Sequence, residues 1–491
     1  TRMGGFFNMS KIEILKEEIL KNSPENFKSL INDAISFAQQ AHKGENRKSG
    51  EDFIIHPLNT ALTVAKIGLD TDTIIASILH SLAHKEDKMD EIKKIFGEDV
   101  YSLIKQTKKI HDATKNTRTP DEVITKYILN RSKDIRPIII KLASALHNVQ
   151  TIQYLPKEEL KDTLKKVFNI YANLAEYLNF NTIKKELEEN AFKEYQPLEY
   201  ESITNKMESL GINNELLERY KATIEEQIKD LNVTVQGRIK GKYSIYNKLK
   251  KYEKEWKDPN IGSLTDIIAF RVVTQSIDDC FLVLEKIMDN AELNTQLFDD
   301  YISNPKPNGY QAIHSIVKFP KIADLEIEIQ ILTEVMHYTN TYGKASHIAY
   351  KASQSRFAQP TDVYSWVEDV HNKIESHISR RELERSIPIE CNIFENEVYA
   401  FTPKGEIILL TKGDTALDFA FKVHTQIGNS AVGAKINGIA GKLDTVLKTD
   451  DVVEIKTQKD KLYQTESALS IVNSSSSRTK ILQGICKKNK N

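Results

Sequence analysis

Apolar positions change their period along the chain. Up to residue 232 they recur at helical spacing. Ile12, Leu15 and Ile19 follow a capping pair, Ser10 and Glu13, and Leu30, Ala34, Phe37 and Ala41 form the next stripe. Gly68 and Gly97 stand where helices should stop. Helices are predicted over 72–83 and 134–149, and PLEYESITNKMESLG and NNELLERYKATIEEQIKDL give two more with Gly211 between them. From Val233 the period shortens. LTDIIAFRVV (264–273) reads as an apolar strand with Asp266 at its mouth. In DLEIEIQILTE (324–334), Leu325, Ile327, Ile329 and Ile331 face one way and Glu326, Glu328 and Gln330 the other. A polar stretch after Lys351 leads into a helix carrying Val363, Trp366, Val367 and Val370. Short strands then return in EVYAFTP, EIILLT, VGAKINGIAG and VVEIKT. A helix, LDFAFKVHTQIG, lies between the second and third of these and is expected to end at Gly428. Asn437-Gly438 signals a tight turn.

The pattern predicts a multidomain α and α/β protein. Residues 1–9 read as an expression remnant or disordered start, with the natural start at Met3 or Met9. A helical domain covers 10–195, a mixed α/β domain 196–351, a helical linker 352–390, a small β-grasp module 391–457, and the start of another helical region 458–491. With 491 residues there is ample material for several cores, and 40% hydrophobic and 28% charged residues suit a globular chain. A net charge of −1 argues against a globally basic nucleic-acid binder, so any RNA contact must be local. No apolar run approaches a membrane span, so no membrane partner is expected. Cys280, Cys391 and Cys486 have no metal or disulfide spacing, which fits a cytoplasmic protein.

If the strands at 264–273 and 324–334 are neighbours, Asp266 and a Glu of the second share a face. Two such carboxylates suit Mg²⁺, which takes oxygen ligands and accompanies nucleotide phosphates. Arg238, Lys240, Lys242, Lys248, Lys250 and Lys251, between the permissive Gly237 and Gly241 and the helix beyond, read as a polyphosphate clamp. Lys306, Asn308, Tyr310 and His314 lie on a Pro- and Gly-broken loop, where a Tyr can stack on a base. Taken singly, an alternating strand is a half-solvated strand and a Lys run a solvated face. Order and spacing carry the sharper reading.

In sequence these pieces are GRxKxxYSIxxK, DIIAFRV, DYIxNPKPNGYQAIH, ExQIxT and TYGKASHIAYK. They closely resemble the synthetase domain, mixed α/β and nucleotidyltransferase-like, of the long RelA/SpoT-type (p)ppGpp synthetase/hydrolases. The resemblance implies transfer of pyrophosphate from ATP to the 3′-hydroxyl of GTP or GDP, with Mg²⁺ and release of AMP. It assigns Arg238, Lys240, Ser244 and Lys248 to the ATP phosphates and Arg271 to the adenine. Asp266 matches the Mg²⁺ ligand. Lys306, Asn308, Tyr310 and His314 match the guanine-nucleotide loop. Glu328 matches a catalytic carboxylate that helps hold Mg²⁺ or activates the acceptor hydroxyl, and Gln330 shares its face. Two departures stand out. The Arg of the family's ExQIRT is Leu332 here, which removes one cation near the substrates. Before DYI the chain reads Leu297-Phe298-Asp299-Asp300, nearer the acidic pattern of synthetase-only members.

The helical region resembles the family's HD-type hydrolase half through RKSG (47–50), His56, His80 and KLASALHN. There the pattern implies Mn²⁺ held by a His after the loop, the HD pair and a later Asp. Here Arg47, Lys48, His56 and His80 remain, but the two aspartates are Ser81 and Ser144. Serine hydroxyls are poor ligands for a hard cation, and the activated water goes with the metal. The expectation is a hydrolase fold without Mn²⁺ and without hydrolysis. Three other readings stay open. One is a plain scaffold with His56 and His80 half-buried, another a regulatory guanine-nucleotide pocket through Arg47 and Lys48, and the third a metal site rescued by Glu86 or Asp87. The small module, with His424 in VHTQIG, resembles a TGS domain, which implies contact with uncharged tRNA on the ribosome; a plain capping histidine is the alternative. The further C-terminal modules of long members do not follow, which reads as a truncation. A rival for the whole chain is a catalytically impaired regulatory protein responsive to nucleotide or tRNA.

Overall fold

The structure is a computed structural model that describes residues 10–115, 118–255, 260–306, 310–342, 360–389, 397–459 and 462–488. Asn308, Cys391 and the TYGKASHIAYK motif from residue 343 onward lie outside the described residues. The chain forms two compact units, one of Thr1–Lys43, Pro57–Lys141 and Arg380–Asn491, the other of Gly44–His56 and Leu142–Ser379. No helix among the described residues is long and apolar enough to cross a membrane.

The helical run begins with α1 (Lys11–Lys21), α2 (Lys28–Ala41), α3 (Ile55–Ile67), α4 (Thr71–Leu79), α5 (Glu86–Phe96), α6 (Glu98–Thr114), α7 (Asp121–Arg131) and α8 (Arg136–Gln150). Ser10 Oγ accepts from the Glu13 N–H at 3.3 Å, as the capping pair predicts. Gly68 and Gly97 take φ of 91° and 97°, the left-handed stops that glycine tolerates. The buried stripe of α2 is Ile31, Ala34, Ile35 and Ala38, one position round from the predicted one. Ala34 belongs to both frames, and Leu30, Phe37 and Ala41 are half-buried at the edges of the stripe. The helix expected over 72–83 stops at Leu79 and tightens into a 3₁₀ turn, His80–His84.

A buried ionic knot fixes the segment that leads to the C-terminal module. Arg136, 3% exposed, donates to Asp70 at 2.9 Å and bonds Asp134. The Ile387 N–H reaches the same Asp70 at 3.1 Å, and Arg385 Nε reaches Asp72 at 2.6 Å. Each buried charge has an opposite partner, the condition under which burial is tolerated.

In the other unit, α9 (Lys157–Lys166), α10 (Ala172–Tyr177), α11 (Asn181–Tyr195), α12 (Pro197–Ser209) and α13 (Asn214–Gln227) lead to a sheet. Its strands are β1 (Thr234–Ile239), β2 (Ile268–Thr274), β3 (Glu292–Leu293), β4 (Asp299–Asp300), β5 (Ile313–Lys318) and β6 (Glu326–Thr333). They lie in the order β1-β2-β6-β5-β3, with β4 also on β5. The helices among and after them are α14 (Lys242–Lys254), α15 (Ile277–Met288), α16 (Glu334–Tyr342) and α17 (Pro360–Arg380). β2 and β6 are parallel; the other pairs are antiparallel. The period-two strand pattern holds: Ile327, Ile329 and Ile331 are fully buried and Glu326, Glu328 and Gln330 partly exposed.

The C-terminal module pairs β7 (Glu397–Phe401) with β8 (Ile407–Thr411), and sets β9 (Ala431–Ile436) between β10 (Ile439–Gly441) and β11 (Val453–Thr457). Asn437 and Gly438, at φ of 53° and 81°, make the predicted turn. The expected single helix is two, α18 (Ala416–Val423) and α19 (Thr425–Ser430), broken at His424 and not ended at Gly428. Gly428 is buried, and a Cβ there would stand 2.4 Å from the Phe421 ring. The tail forms α20 (Ser475–Lys488).

Gly237 and Gly241 serve close approach, and neither has a positive φ. A Cβ on Gly237 would lie 2.6 Å from the Phe270 ring, and one on Gly241 2.7 Å from Glu189 Oε1. Phe270 is 1% exposed and has no room to yield. Gly237→Ala should therefore lower stability by about 1–3 kcal/mol through overpacking, read as a shift in denaturant midpoint. An unchanged midpoint would show that the ring moves freely.

Candidate functional site

Sheet register builds the site. Partners across a ladder share a face, and alternate residues along a strand return to it. One row runs Arg238, Ala269, Glu328, Ile316, and the next runs Gln236, Arg271, Gln330, His314, Asp299. The parallel β2–β6 pair thus puts Asp266, two residues before β2, at the same end of the sheet as Glu328.

Asp266 is held by two cations. Lys240 Nζ lies 2.5 Å from Oδ2 and Lys248 Nζ 2.8 Å from Oδ1. Lys248 comes from α14, whose side chains return on one face two turns in, while Lys240 leaves β1 directly. Burial alone would raise the Asp266 carboxyl, but the two lysines outweigh it and hold it below the usual range. Ser244, on the first turn of α14, is half-buried.

Glu328 belongs to a chain of hydrogen bonds. His314 Nδ1 is 3.1 Å from Oε1, and Gln330 Nε2 donates to Oε2 at 3.1 Å. Tyr310 Oη lies 2.7 Å from His314 Nε2. Burial and the like charge of Asp266 push the Glu328 carboxyl up, but His314 and Gln330 bring it below its ordinary value. Burial pushes the Tyr310 phenol up to about 12, so it stays protonated and can donate to the imidazole.

Arg271 lies one row beyond Arg238 and Glu328, counted from the Asp266 end. Burial and then Arg238 lower its pKa, while Tyr310 and Glu328 act the other way. Its Nε is buried with no hydrogen-bond partner among the described residues. Lys306 Nζ lies 4.2 Å from the centroid of Tyr301 and 5.3 Å from that of Tyr310. Tyr301 meets Tyr310 and His314 edge-on. It was legible in the DYI motif but carried no role, whereas His337, 3.4 Å from Arg271 Nη1, had no sequence signal. Leu332 falls on the site face one row beyond Gln330 and is 2% exposed, in the sheet's hydrophobic core. Asp300 turns back on its own loop, accepting from the Ile302 and Ser303 N–H groups.

The second group of residues is spread over both units. In one, Ser144 Oγ is 3.2 Å from His56 Nε2, and His56 Nδ1 is 3.1 Å from His147 Nδ1. All three are at most 6% exposed. Arg47 Nη2 donates to Asn148 and Thr151, each at 3.1 Å, and Lys48 pairs with Glu159. In the other, Ser81 Oγ is 2.8 Å from His42 Nε2, and His80 Nδ1 is 2.7 Å from the Ser77 carbonyl. Glu86 and Asp87 are exposed on the first turn of α5. Each pair, His56 with Ser144 in one unit and His80 with Ser81 in the other, offers an imidazole and a hydroxyl and no carboxylate, and the His56 Nε2 is already bonded to a hydroxyl. Neither pair of donors fits Mn²⁺. Among the described residues no three His, Cys, Asp or Glu side chains are grouped so as to hold a metal.

His424 is exposed at the break between α18 and α19, and its Nδ1 accepts from the Gln426 N–H at 3.2 Å. The capping alternative is thus realised in the structure, and a contact with RNA is compatible with it.

Three family descriptions match the chain: an HD domain over residues 34–180, the "region found in RelA / SpoT proteins" over 237–355, and a TGS domain over 398–457. The chain is 37% identical over 476 residues to a guanosine-3′,5′-bis(diphosphate) 3′-pyrophosphohydrolase of Aquifex aeolicus, covering 95% of this chain and 66% of that one. A protein of the same description from Spiroplasma citri is 34% identical, over 87% of this chain and 59% of that one. A GTP pyrophosphokinase rsh of Brucella melitensis is 31% identical, over 91% and 60%. The chain therefore spans roughly three fifths to two thirds of the length of these relatives.

A pH prediction follows from the histidines. Burial lowers His80 to about 4 and His111 to about 3, so both are neutral when folded and protonate near 6.5 when unfolded. Their contribution is complete above pH 6.5 and is lost as pH falls from there toward 4. Asp72, raised by burial to about 6, slopes the other way between 4 and 6, so a comparison of variants is needed. His80→Gln should flatten the fall in denaturant midpoint between pH 6.5 and 4. An identical slope in wild type and variant would show that His80 is solvated.

Proposed function

The chain belongs to the RelA/SpoT family, and from that premise we propose that it makes (p)ppGpp by transferring pyrophosphate from ATP to the 3′-hydroxyl of GDP or GTP. The observation that carries the reading is the pairing of Asp266, clamped by Lys240 and Lys248, with Glu328, clamped by His314 and Gln330, at one end of parallel neighbours. Two acidic side chains beside phosphate-seeking lysines fit Mg²⁺, which keeps few protein ligands and shares its shell with phosphates. Asp266 and Glu328 would hold it, and when bound it supplies charge neutralisation for the transferred phosphates.

The chain's own groups do the rest. Lys240 and Lys248 are each within reach of Asp266 and would turn to the ATP phosphates, with Arg238 and Ser244 beside them. Arg271, whose buried Nε has no hydrogen-bond partner among the described residues, is poised to bond the adenosine. Tyr310, its hydroxyl tied to His314, presents a fixed ring for the guanine, and Lys306 lies over the same aromatic pair. The acceptor 3′-oxygen attacks the β-phosphorus, the bond to the α–β bridging oxygen breaks, and AMP leaves. Glu328 takes the hydroxyl proton, its orientation set by His314 and Gln330. Leu332 supplies no cation, so charge stabilisation falls to Arg238, Arg271 and the lysines. Hydrolysis of ppGpp is lost, because Ser81 and Ser144 bond His42 and His56 where a metal would need carboxylates. His424 is the residue through which the TGS domain meets uncharged tRNA.

One observation favours a second reading, retained hydrolysis: the Aquifex and Spiroplasma relatives carry pyrophosphohydrolase names. Two incubations separate the readings. ATP and GTP with Mg²⁺ should yield AMP and pppGpp, while ppGpp with Mn²⁺ should stay intact; cleaved ppGpp with stoichiometric bound manganese would establish the second reading. Asp266→Asn should abolish synthesis without unfolding the protein, read as a retained cooperative thermal transition, and full activity would remove Asp266 from the metal site. Tyr310→Ala should raise KM for the guanine nucleotide by roughly five- to a hundred-and-fifty-fold, since base stacking contributes about 1–3 kcal/mol. An unaltered KM would exclude stacking.

A further inference from the structure

The unit that holds α6 and α7 contains a cleft of about 500 Å³ between them, closed on one side by Pro388. Its volume lies within the range of small-ligand sites, roughly 300–1,000 Å³. Lys109, Arg131 and Lys133 stand at its rim, and the carboxylates of Asp99 and Asp134 lie on the same lining. Arg136 also lines it and is shared between Asp134 and the buried Asp70. Neither Lys109 nor Lys133 is in an ion pair among the described residues, and both are exposed. Leu103, Ile110 and Ile128, all at most 6% exposed, lie beneath, and Ser102, Gln106 and Ser132 share the lining. Cations beside a lining of mixed apolar and hydrogen-bonding groups suit a ligand with phosphates at one end and a ring with polar edges at the other.

The same cleft is wired to the C-terminal module. Arg131 Nη2 lies 2.6 Å from Asp450 Oδ2, and the Tyr127 hydroxyl, also on the cleft wall, bonds Asp450 at 3.3 Å. Asp450 sits at φ 76°, a conformation that side chains other than glycine, Asn and Asp rarely adopt. Tyr127 meets Tyr399 and Phe401 edge-on, and Thr119 accepts the Ile407 N–H at 2.8 Å. The Arg131–Asp450 pair is about 40% exposed on each side, and exposed pairs of this kind are weak. A phosphate in the cleft competes for Arg131 with more charge than one carboxylate brings.

We infer that the α6–α7 cleft binds a nucleotide-sized, phosphate-bearing anion, and that its binding draws Arg131 from Asp450 and loosens α7 from the C-terminal module. This stands apart from the synthetase reading, which concerns the other unit.

The test is hydrogen exchange on the full chain during titration with inorganic tripolyphosphate and, separately, ATP. Either probe should protect amides within 99–134 and deprotect those at 447–452. Occupancy of the sheet site would read out instead at 238–251, so the two events are scored separately. Lys109→Ala with Lys133→Ala should need roughly tenfold more probe for the same protection at 99–134. Asp450→Asn should deprotect 447–452 without any probe and bind the probe more tightly. Equal protection in the double variant, or none in wild type, overturns the site. Protection of 99–134 without loosening at 447–452 overturns the coupling. ATP no tighter than tripolyphosphate overturns the nucleotide and leaves a plain anion site.

Discussion

The parallel pairing of β2 with β6 is the constraint on which the candidate chemistry rests. Parallel strands present the same ends together, so Asp266, on the turn just before β2, and Glu328, early in β6, lie at one end of the sheet. Ala269 opposite Glu328 and Arg271 opposite Gln330 then set the rows, and β1 and β5 extend them to Arg238 and His314. A register slip of one residue would bury Glu328 and expose Ile327 and Ile329, which the apolar core forbids. The hydrophobic alternation that holds the fold is therefore also what aims the site.

That explains how much was legible. The period-two pattern of 324–334 gives the faces of β6 directly, and the run 238–251 reads as a polyphosphate clamp, but the string does not say that Lys240 and Lys248 meet Asp266. What sequence could not supply was partnership. Nothing in the string says that Tyr310, His314 and Glu328 form one hydrogen-bonded line, since residues 310 and 314 straddle a strand start and 328 sits on another strand. His337 reaches Arg271 only because a helix follows β6. The glycines were read as flexible when they are spaces, because a motif shows that a side chain is missing and not what fills its place. The helix through VHTQIG broke at His424 for a local reason: an imidazole nitrogen can cap the next turn.

The two serines serve buried imidazoles. A ring nitrogen in the interior needs a hydrogen-bond partner. Ser144 brings a hydroxyl to His56, and Ser81 brings one to His42. A hydroxyl can donate or accept, so it suits either tautomer of the ring.

The knot around Arg136 has a consequence in time. Asp72 is a nearly fully buried carboxylate whose partner, Arg385, lies 313 residues further along the chain. At the usual pace of synthesis, about 5–20 residues per second, the partner emerges roughly 15 to 60 seconds after the acid. Until then α4 must keep that carboxylate neutral or wet, and the N-terminal helices cannot reach their final packing. Their completion is therefore tied to the arrival of the segment before the C-terminal module. A nascent chain interrupted before residue 385 would carry an unfinished first unit, however far its sheet had folded.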